Sequence, residues 1–147
     1  DNLSTSKFKP IPYTRKMDLK ILRLASDTKS QKKNPLQISR GIHSNSQNIF
    51  VELIKDGITS WGESAPGLNE GAASSIEVED ALKKLIDSDL DDLSIYEIHQ
   101  RSKDLNIPPC AYAALDSALW DWHAQKAQMP LYQFLGLPCP KTPTSLT

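Results

Sequence analysis

Three side chains within one predicted helix have the types needed for proton transfer or metal binding: Asp116, Asp121 and His123. A carboxylate and an imidazole in hydrogen-bond contact form a general acid/base pair, and both groups are common metal ligands. Helical spacing opposes either function, because Asp116 and His123 lie ~10 Å apart along the axis and Asp121 lies on the other polar edge. No HExxH spacing is present. The spacing therefore predicts structural roles for all three, and we expect no catalytic or metal-binding residue in this chain.

Other motifs capable of chemistry are sparse. The chain has no GxSxG, no phosphate-binding loop and no GxGxxG. The acidic run at residues 87–93 lacks the Gly and the terminal Glu of a calcium loop. Cys110 and Cys139 have no CxxC spacing, so free thiols in a reducing compartment are expected. His99, on another predicted helix, has the same structural interpretation as His123.

The composition fits one ordinary globular domain. The 147 residues carry a formal net charge of −1 and are 39% hydrophobic, which argues against a disordered chain and against nucleic-acid binding as a main function. No apolar run approaches the ~20 residues of a membrane span, and the polar first residues lack a signal-peptide core. We therefore expect a cytoplasmic protein with neither nucleic-acid nor membrane partners.

The first half of the chain predicts strands. Residues 19–26 alternate loosely between polar and apolar, and residues 48–63 contain two apolar runs joined by an Asp-Gly hairpin signal. The long polar stretch 28–47 between them is predicted to be a loop, and its order does not follow from the sequence. Together these segments predict three antiparallel strands in a meander.

The second half predicts helices. Residues 74–88 and 90–106 each contain the Ser-x-x-Glu spacing of a capping box. A third helix begins at the prolines before Cys110 and runs to about Gln128, and residues 130–136 add a short fourth one that ends at a glycine. Strands followed by helices predict an α+β domain, in which a three-stranded antiparallel sheet packs against three to four helices.

The third predicted helix has apolar residues on two nearly opposite faces. A surface helix normally has one apolar face, which packs on its own domain. A second face that is rich in alanine therefore predicts a docking surface for another domain or subunit. This second face consists of Ala113, Trp120, Ala124 and Ala127.

Three motifs in a fixed order resemble one protein family. They are WGESAPG at 61–67, AYAALDSALWDWHAQKAQMPLYQFLG at 111–136 and PTSLT at 143–147. In this order they closely resemble the N-terminal capping domain of the enolase superfamily, in the muconate lactonizing enzyme subgroup. The strongest similarity is to dipeptide epimerases of the Ala-Glu type, and it covers about Met17 to Thr147.

This resemblance implies an isomerase whose chemistry lies in a modified TIM barrel. Lys bases on both sides of the substrate α-carbon would act with Mg²⁺, which stabilises the enolate. A barrel needs ~200 residues or more, so its catalytic residues and Mg²⁺ ligands would lie outside this chain. The resemblance thus divides the chain into a polar segment at 1–16, a capping domain at 17–140 and the start of the missing barrel at 141–147. A fragment or isolated domain is expected, with a naturally short protein as the alternative.

The resemblance also implies which capping-domain residues reach the substrate. A loop around Arg40, Ile42 and His43 and the end of the hairpin at Trp61 would lie over the barrel mouth, and Thr147 would enter it. Arg40 could bind a substrate carboxylate through two parallel hydrogen bonds. Solvent exposure is the alternative for the loop residues, and packing on the sheet is the alternative for Trp61.

The implied partners are the protein's own barrel, a small carboxylate or dipeptide substrate, and further copies in a homo-oligomer. Glu63 and the alanine-rich helix face would lie at the interface with the barrel. Within the superfamily, a muconate cycloisomerase or an o-succinylbenzoate synthase is the alternative. Outside it, the alternative is a stand-alone, non-catalytic binding or oligomerisation module.

Overall fold

The protein is a three-stranded sheet covered on one face by helices. The computed structural model describes residues 16–25, 36–38, 41–43, 47–67, 70–139 and 141. The strands are β1 (Asp18–Ala25), β2 (Leu36–Ile38), β3 (Gly41–His43), β4 (Gln47–Lys55) and β5 (Ile58–Ser64), and the helices are α1 (Ser75–Ile86), α2 (Ile95–Asp104), α3 (Pro109–Lys126) and α4 (Leu131–Phe134). β1, β4 and β5 lie in that order and pair antiparallel. The predicted α+β class and meander are confirmed.

A second, two-stranded sheet lies within the stretch that the sequence predicted to be a loop. β2 and β3 pair antiparallel, with Leu36 opposite His43 and Ile38 opposite Gly41. The prediction of a loop throughout 28–47 is therefore wrong for these two strands and for Gln47, which begins β4. Strands of three residues are too short to produce a recognisable period of two in a polar sequence.

The core lies between one face of the main sheet and the helices. Every second residue of β4 is buried, as expected when successive side chains point to opposite faces. The fully buried apolar side chains from sheet and helices include Ile49, Val51, Leu53, Val78, Leu82, Leu85, Ile98, Ala111, Ala114, Leu115 and Ala118. No helix in the described part of the chain is long and apolar enough to cross a membrane.

α3 crosses β5 at very short range. A Cβ atom built on Gly62 would lie 1.8 Å from the carbonyl oxygen of Ala114 and 2.9 Å from the backbone nitrogen of Ala118. No side chain fits at Gly62. The small alanine side chains of α3 allow the helix to approach the strand this closely. This contact fixes α3 against the sheet and determines which of its faces points outward.

The first two helices begin with the caps expected from their sequences, with one difference. Ser94 and Glu97 form the complete capping box of α2, and these hydrogen bonds lower the pKa of Glu97. In α1 the Ser74 hydroxyl accepts from the N–H of Glu77, but the Glu77 carboxylate accepts from the N–H of Ala73 at 2.8 Å. Both serines satisfy helix N–H groups that would otherwise lack an acceptor.

Candidate functional site

The three polar side chains that first suggested chemistry in α3 have separate contacts. Asp116 accepts a hydrogen bond from the Tyr112 hydroxyl at 3.0 Å, which together with burial raises the pKa of that phenol. Asp121 accepts from the side-chain amide of Gln125 at 2.9 Å. The His123 ring packs edge-on against an indole with 4.9 Å between the ring centroids. Each group thus has a packing or hydrogen-bonding role, as the helical spacing predicts.

A resident metal ion does not fit the described residues. Among them, no three His, Cys, Asp or Glu side chains lie close enough together to hold one. A Mg²⁺ ion, which the resemblance assigns to the barrel, would need ligands from outside this part of the chain. The two cysteines are free thiols in the structure, one buried and one exposed.

Of the residues predicted to reach the substrate, the structure describes Ile42, His43 and Trp61. Arg40 and Thr147 are outside the described residues. Ile42 and His43 belong to β3, where their backbones pair with Gln37 and Leu36. Because β4 begins four residues after His43, the β2–β3 hairpin joins the sheet at the end where β4 starts.

Trp61 and Glu63 lie on the face of the sheet that points away from the helices. Alternate residues of β5 are buried, and these two are the exposed ones between them. The Glu63 carboxylate accepts a hydrogen bond from the Asn48 side chain on the neighbouring strand. Trp61 is 45% exposed and lies opposite Glu52 in the register. Glu63 is therefore next to the start of β4, at the same end as the β2–β3 hairpin.

The outer face of the sheet carries apolar side chains beside its charged ones. Leu22 and Leu24 of β1 are 39% and 55% exposed, and their alternation with the partly buried Ile21 places them on the same face as Trp61. Phe50 is half-buried beside them. Sequence reasoning missed this surface, because apolar residues on both faces of β1 hide which face the helices cover.

The predicted docking face of α3 is open only in part. Ala113 and Ala127 are exposed and Trp120 is half-buried, but Ala124 is 1% exposed. The prediction that Ala124 lies on an exposed docking surface is therefore wrong. α4 folds back on α3, where Phe134 packs against Trp120 with ring centroids 6.2 Å apart. The chain itself covers the middle of the stripe.

The segment that folds back presents a new apolar surface. Leu131, Leu135 and Leu137 are 37%, 46% and 56% exposed. They replace Ala124 as the outward-facing apolar side chains next to α3. We call these three residues the α4 leucines.

The same elements in the same order characterise a known family. The family described as mandelate racemase / muconate lactonizing enzyme, N-terminal domain, matches residues 21–136. The chain belongs to this family. The family and the capping-domain fold predicted from the sequence are thereby confirmed.

Among curated relatives, the chain is similar to two hydrophobic dipeptide epimerases. It is 52% identical over 117 residues to the one from Flavobacteria bacterium (strain MS024-2A), which covers 80% of this chain and 34% of the relative. It is 42% identical over 107 residues to the one from Roseobacter litoralis, covering 73% of this chain and 31% of the relative. The chain thus spans about a third of the length of these relatives.

Among solved structures, the fold is similar to a dipeptide epimerase from Cytophaga hutchinsonii, which was crystallised with Mg and the dipeptide D-Ala-L-Val. The TM-score is 0.70 at 24% identity, and the match covers 80% of this chain and 32% of that one. This likeness shows that the sheet and the helical layer share the arrangement of that enzyme's corresponding region.

Proposed function

We propose that this chain is the capping domain of a Mg²⁺-dependent dipeptide epimerase. Such an enzyme removes the α-proton beside a carboxylate and returns a proton to the opposite face of the carbon. The observation that carries the proposal is the 52% identity to a hydrophobic dipeptide epimerase over 80% of the chain. The names of the relatives favour dipeptides with apolar side chains over the Ala-Glu type that the sequence motifs suggested.

In this proposal the capping domain supplies specificity and closure. Arg40, Ile42 and His43, in and beside the β2–β3 hairpin, would contact the substrate together with Trp61 and Thr147. The position of the hairpin next to the start of β4 supports this assignment. Closing such a segment over a reactive carbanion excludes water, and the abstracted proton then does not leak to solvent. The Mg²⁺ ion would be held by residues beyond those described and would stabilise the enolate.

The barrel is proposed to dock on the open parts of α3 and on the α4 leucines. Ala113, Trp120 and Ala127 border this surface, and Glu63 would meet the barrel at the end of the sheet. The α4 leucines are 37–56% exposed. This exposure supports the assignment, because contiguous apolar surface usually marks an interface. A homo-oligomer and a cytoplasmic location stay predictions.

The deciding experiment is exchange of the α-proton in ²H₂O by the protein encoded by the complete gene. Dipeptides with apolar side chains are compared with Ala-Glu, each with and without Mg²⁺. We expect exchange that requires Mg²⁺ and is fastest with apolar side chains. Lack of exchange with every dipeptide would overturn the assignment, and turnover of a muconate or succinylbenzoate precursor instead would favour the alternative enzymes of the superfamily.

A further inference from the structure

A cavity of about 410 Å³ lies at the far end of the sheet from the β2–β3 hairpin. Its lining includes Met17, just before β1, and Leu53 and Lys55, at the end of β4. Gln47, where β4 begins, is ~26 Å away at ~3.3 Å per residue. The volume falls within the range of small-molecule sites. None of the residues that we assign to the dipeptide is among the described residues that line this cavity.

The floor of the cavity is apolar and well fixed. Leu53, Leu119 and Trp122 line it and are at most 6% exposed. The indole N–H of Trp122 donates to the backbone oxygen of Lys55 at 2.9 Å, which fixes the ring plane. An aromatic or aliphatic group that enters the cavity would therefore meet a preformed apolar surface.

Two ammonium groups converge on this indole. Lys126 Nζ lies 4.6 Å and Lys55 Nζ 5.4 Å from the centre of the Trp122 ring. Lys126 also forms an ion pair with the buried carboxylate of Asp56 at 2.7 Å. Lys55 has no carboxylate within ion-pair distance in the described part of the chain. Among the described residues, the charge of Lys126 is thus compensated by a carboxylate, whereas the ammonium of Lys55 lies over the ring face.

The third basic group of this wall is His123. Burial lowers its pKa, and the positive charges of Lys55 and Lys126 lower it further. The acidic residues of the lining, Asp92 and Glu97, belong to the segment at the start of α2. The Glu97 carboxylate is already engaged by the N–H and hydroxyl of Ser94, both at 2.7 Å.

We propose that this cavity binds a small organic anion with an apolar or aromatic body. The anionic group pairs with Lys55 beside His123, and the body lies on Trp122 and the two leucines. Burial of the body removes apolar surface from water, and the anion pairs with the ammonium of Lys55. The inference is independent of the proposed dipeptide chemistry.

The test uses the complete protein with its tryptophan indoles labelled with ¹⁵N, and 3-phenylpropionate as the probe. We expect a saturable shift of the Trp122 indole signal, which is assigned with Trp122→Phe. The uncharged 3-phenylpropionamide should bind more weakly. Because the signal belongs to Trp122, binding of the probe elsewhere in the protein does not produce it.

Lys55→Gln should weaken binding of 3-phenylpropionate roughly tenfold, the effect of losing one charged hydrogen bond. Lys103→Gln is the matched control, since it removes one positive charge from an exposed position in the last turn of α2, and it should leave the affinity unchanged. A Trp122 indole signal that does not shift when 3-phenylpropionate is added would overturn the proposal. So would equal affinity for acid and amide, or an affinity that Lys55→Gln does not alter.

Discussion

Two serines of β5 show that a buried hydroxyl can have opposite effects at neighbouring positions. Ser60 and Ser64 both point into the core and are 0% and 4% exposed. The Ser64 hydroxyl donates to the backbone oxygen of Cys110 at 2.6 Å. The Ser60 hydroxyl oxygen has no hydrogen-bond partner among the described residues. Burial without a partner costs free energy, whereas a satisfied bond recovers that cost.

Ser64→Ala should therefore lower the free energy of unfolding by about 1–2 kcal/mol, because it removes a buried hydrogen bond to the Cys110 carbonyl. Ser60→Ala should leave stability unchanged or raise it by up to ~1 kcal/mol, because it removes an unpaired polar atom. Urea unfolding of the two variants measures the difference. A cost for Ser60→Ala equal to that for Ser64→Ala would contradict the assignment of the partners.

His123 makes stability depend on pH in a defined direction. Its folded-state pKa is lowered by burial first, and then by Lys55 and Lys126. As pH falls through ~6.5, the unfolded chain binds a proton before the folded one does, so stability is lost from that pH down to the lowered folded pKa. Above ~6.5 the imidazole is neutral in both states and has no such effect.

His123→Gln should thus reduce the loss of stability between about pH 7 and pH 5. His99→Gln, which replaces an imidazole on α2, is the control. The carboxyl pKa values of Glu79 and Glu97 are also lowered, by their hydrogen bonds, but stability from these groups is lost only around and below their ordinary value near 4.5. Thermal unfolding across about pH 5–7 separates the two. An unchanged slope in His123→Gln would contradict the proposed origin.

At the scale of elements, the sequence predicted what depends on local spacing. The Ser-x-x-Glu spacing located both capped helices because a cap involves residues three apart. Burial of Ala124 could not be predicted in the same way, since it depends on packing between elements. After α3 the chain returns so that Phe134 of α4 packs against Trp120. The return begins at Gln128, which has a φ of 57°, and that conformation is not encoded in the period of α3.

The contact between α3 and β5 was also not predictable from the pattern, although its residues are. Gly62 belongs to a motif recognised from the sequence, but only the structure shows the Ala114 carbonyl oxygen within 1.8 Å of the point where a Cβ on Gly62 would lie. Gly62→Ala should lower stability by ~3 kcal/mol, because backbone of a packed helix must move to relieve the overlap.

Gly57→Ala is the matched control for that change. Gly57 has a φ of +74°, and no atom lies within 4 Å of the point where its Cβ would be placed. Its substitution should cost only the ~1–2 kcal/mol of a left-handed backbone. Chemical denaturation of both variants distinguishes close approach from backbone strain, and equal losses would show that β5 can move away from α3.

At the scale of the whole molecule, the order of elements and three motifs were enough to predict the family and the fold. The surfaces that meet a partner were harder to predict, because hydrophobic periodicity reports burial without saying what provides it. The outer face of the sheet, for example, also carries exposed leucines, Leu22 and Leu24. The sequence therefore indicated a docking surface that included Ala124, and because Ala124 is buried we propose the α4 leucines as its centre.

This relocation leads to a prediction that compares the complete protein with the 147-residue chain. Leu135→Glu should lower the stability of the complete protein by about 2 kcal/mol or more, since a leucine buried by the barrel contributes ~1.5–3 kcal/mol. In the isolated chain, where Leu135 is 46% exposed, the change should stay within ~0.5 kcal/mol. Ile76→Glu is the control, because Ile76 is 56% exposed on α1 and lies outside the proposed interface.

Thermal unfolding and limited proteolysis of both chains measure the effect. Leu135→Glu should speed cleavage between the two domains of the complete protein, because a charge at the contact weakens docking, and Ile76→Glu should not. Equal behaviour of the two variants in the complete protein would remove the α4 leucines from the interface. If Leu24→Glu is the costly change instead, the barrel or a second copy docks on the outer face of the sheet.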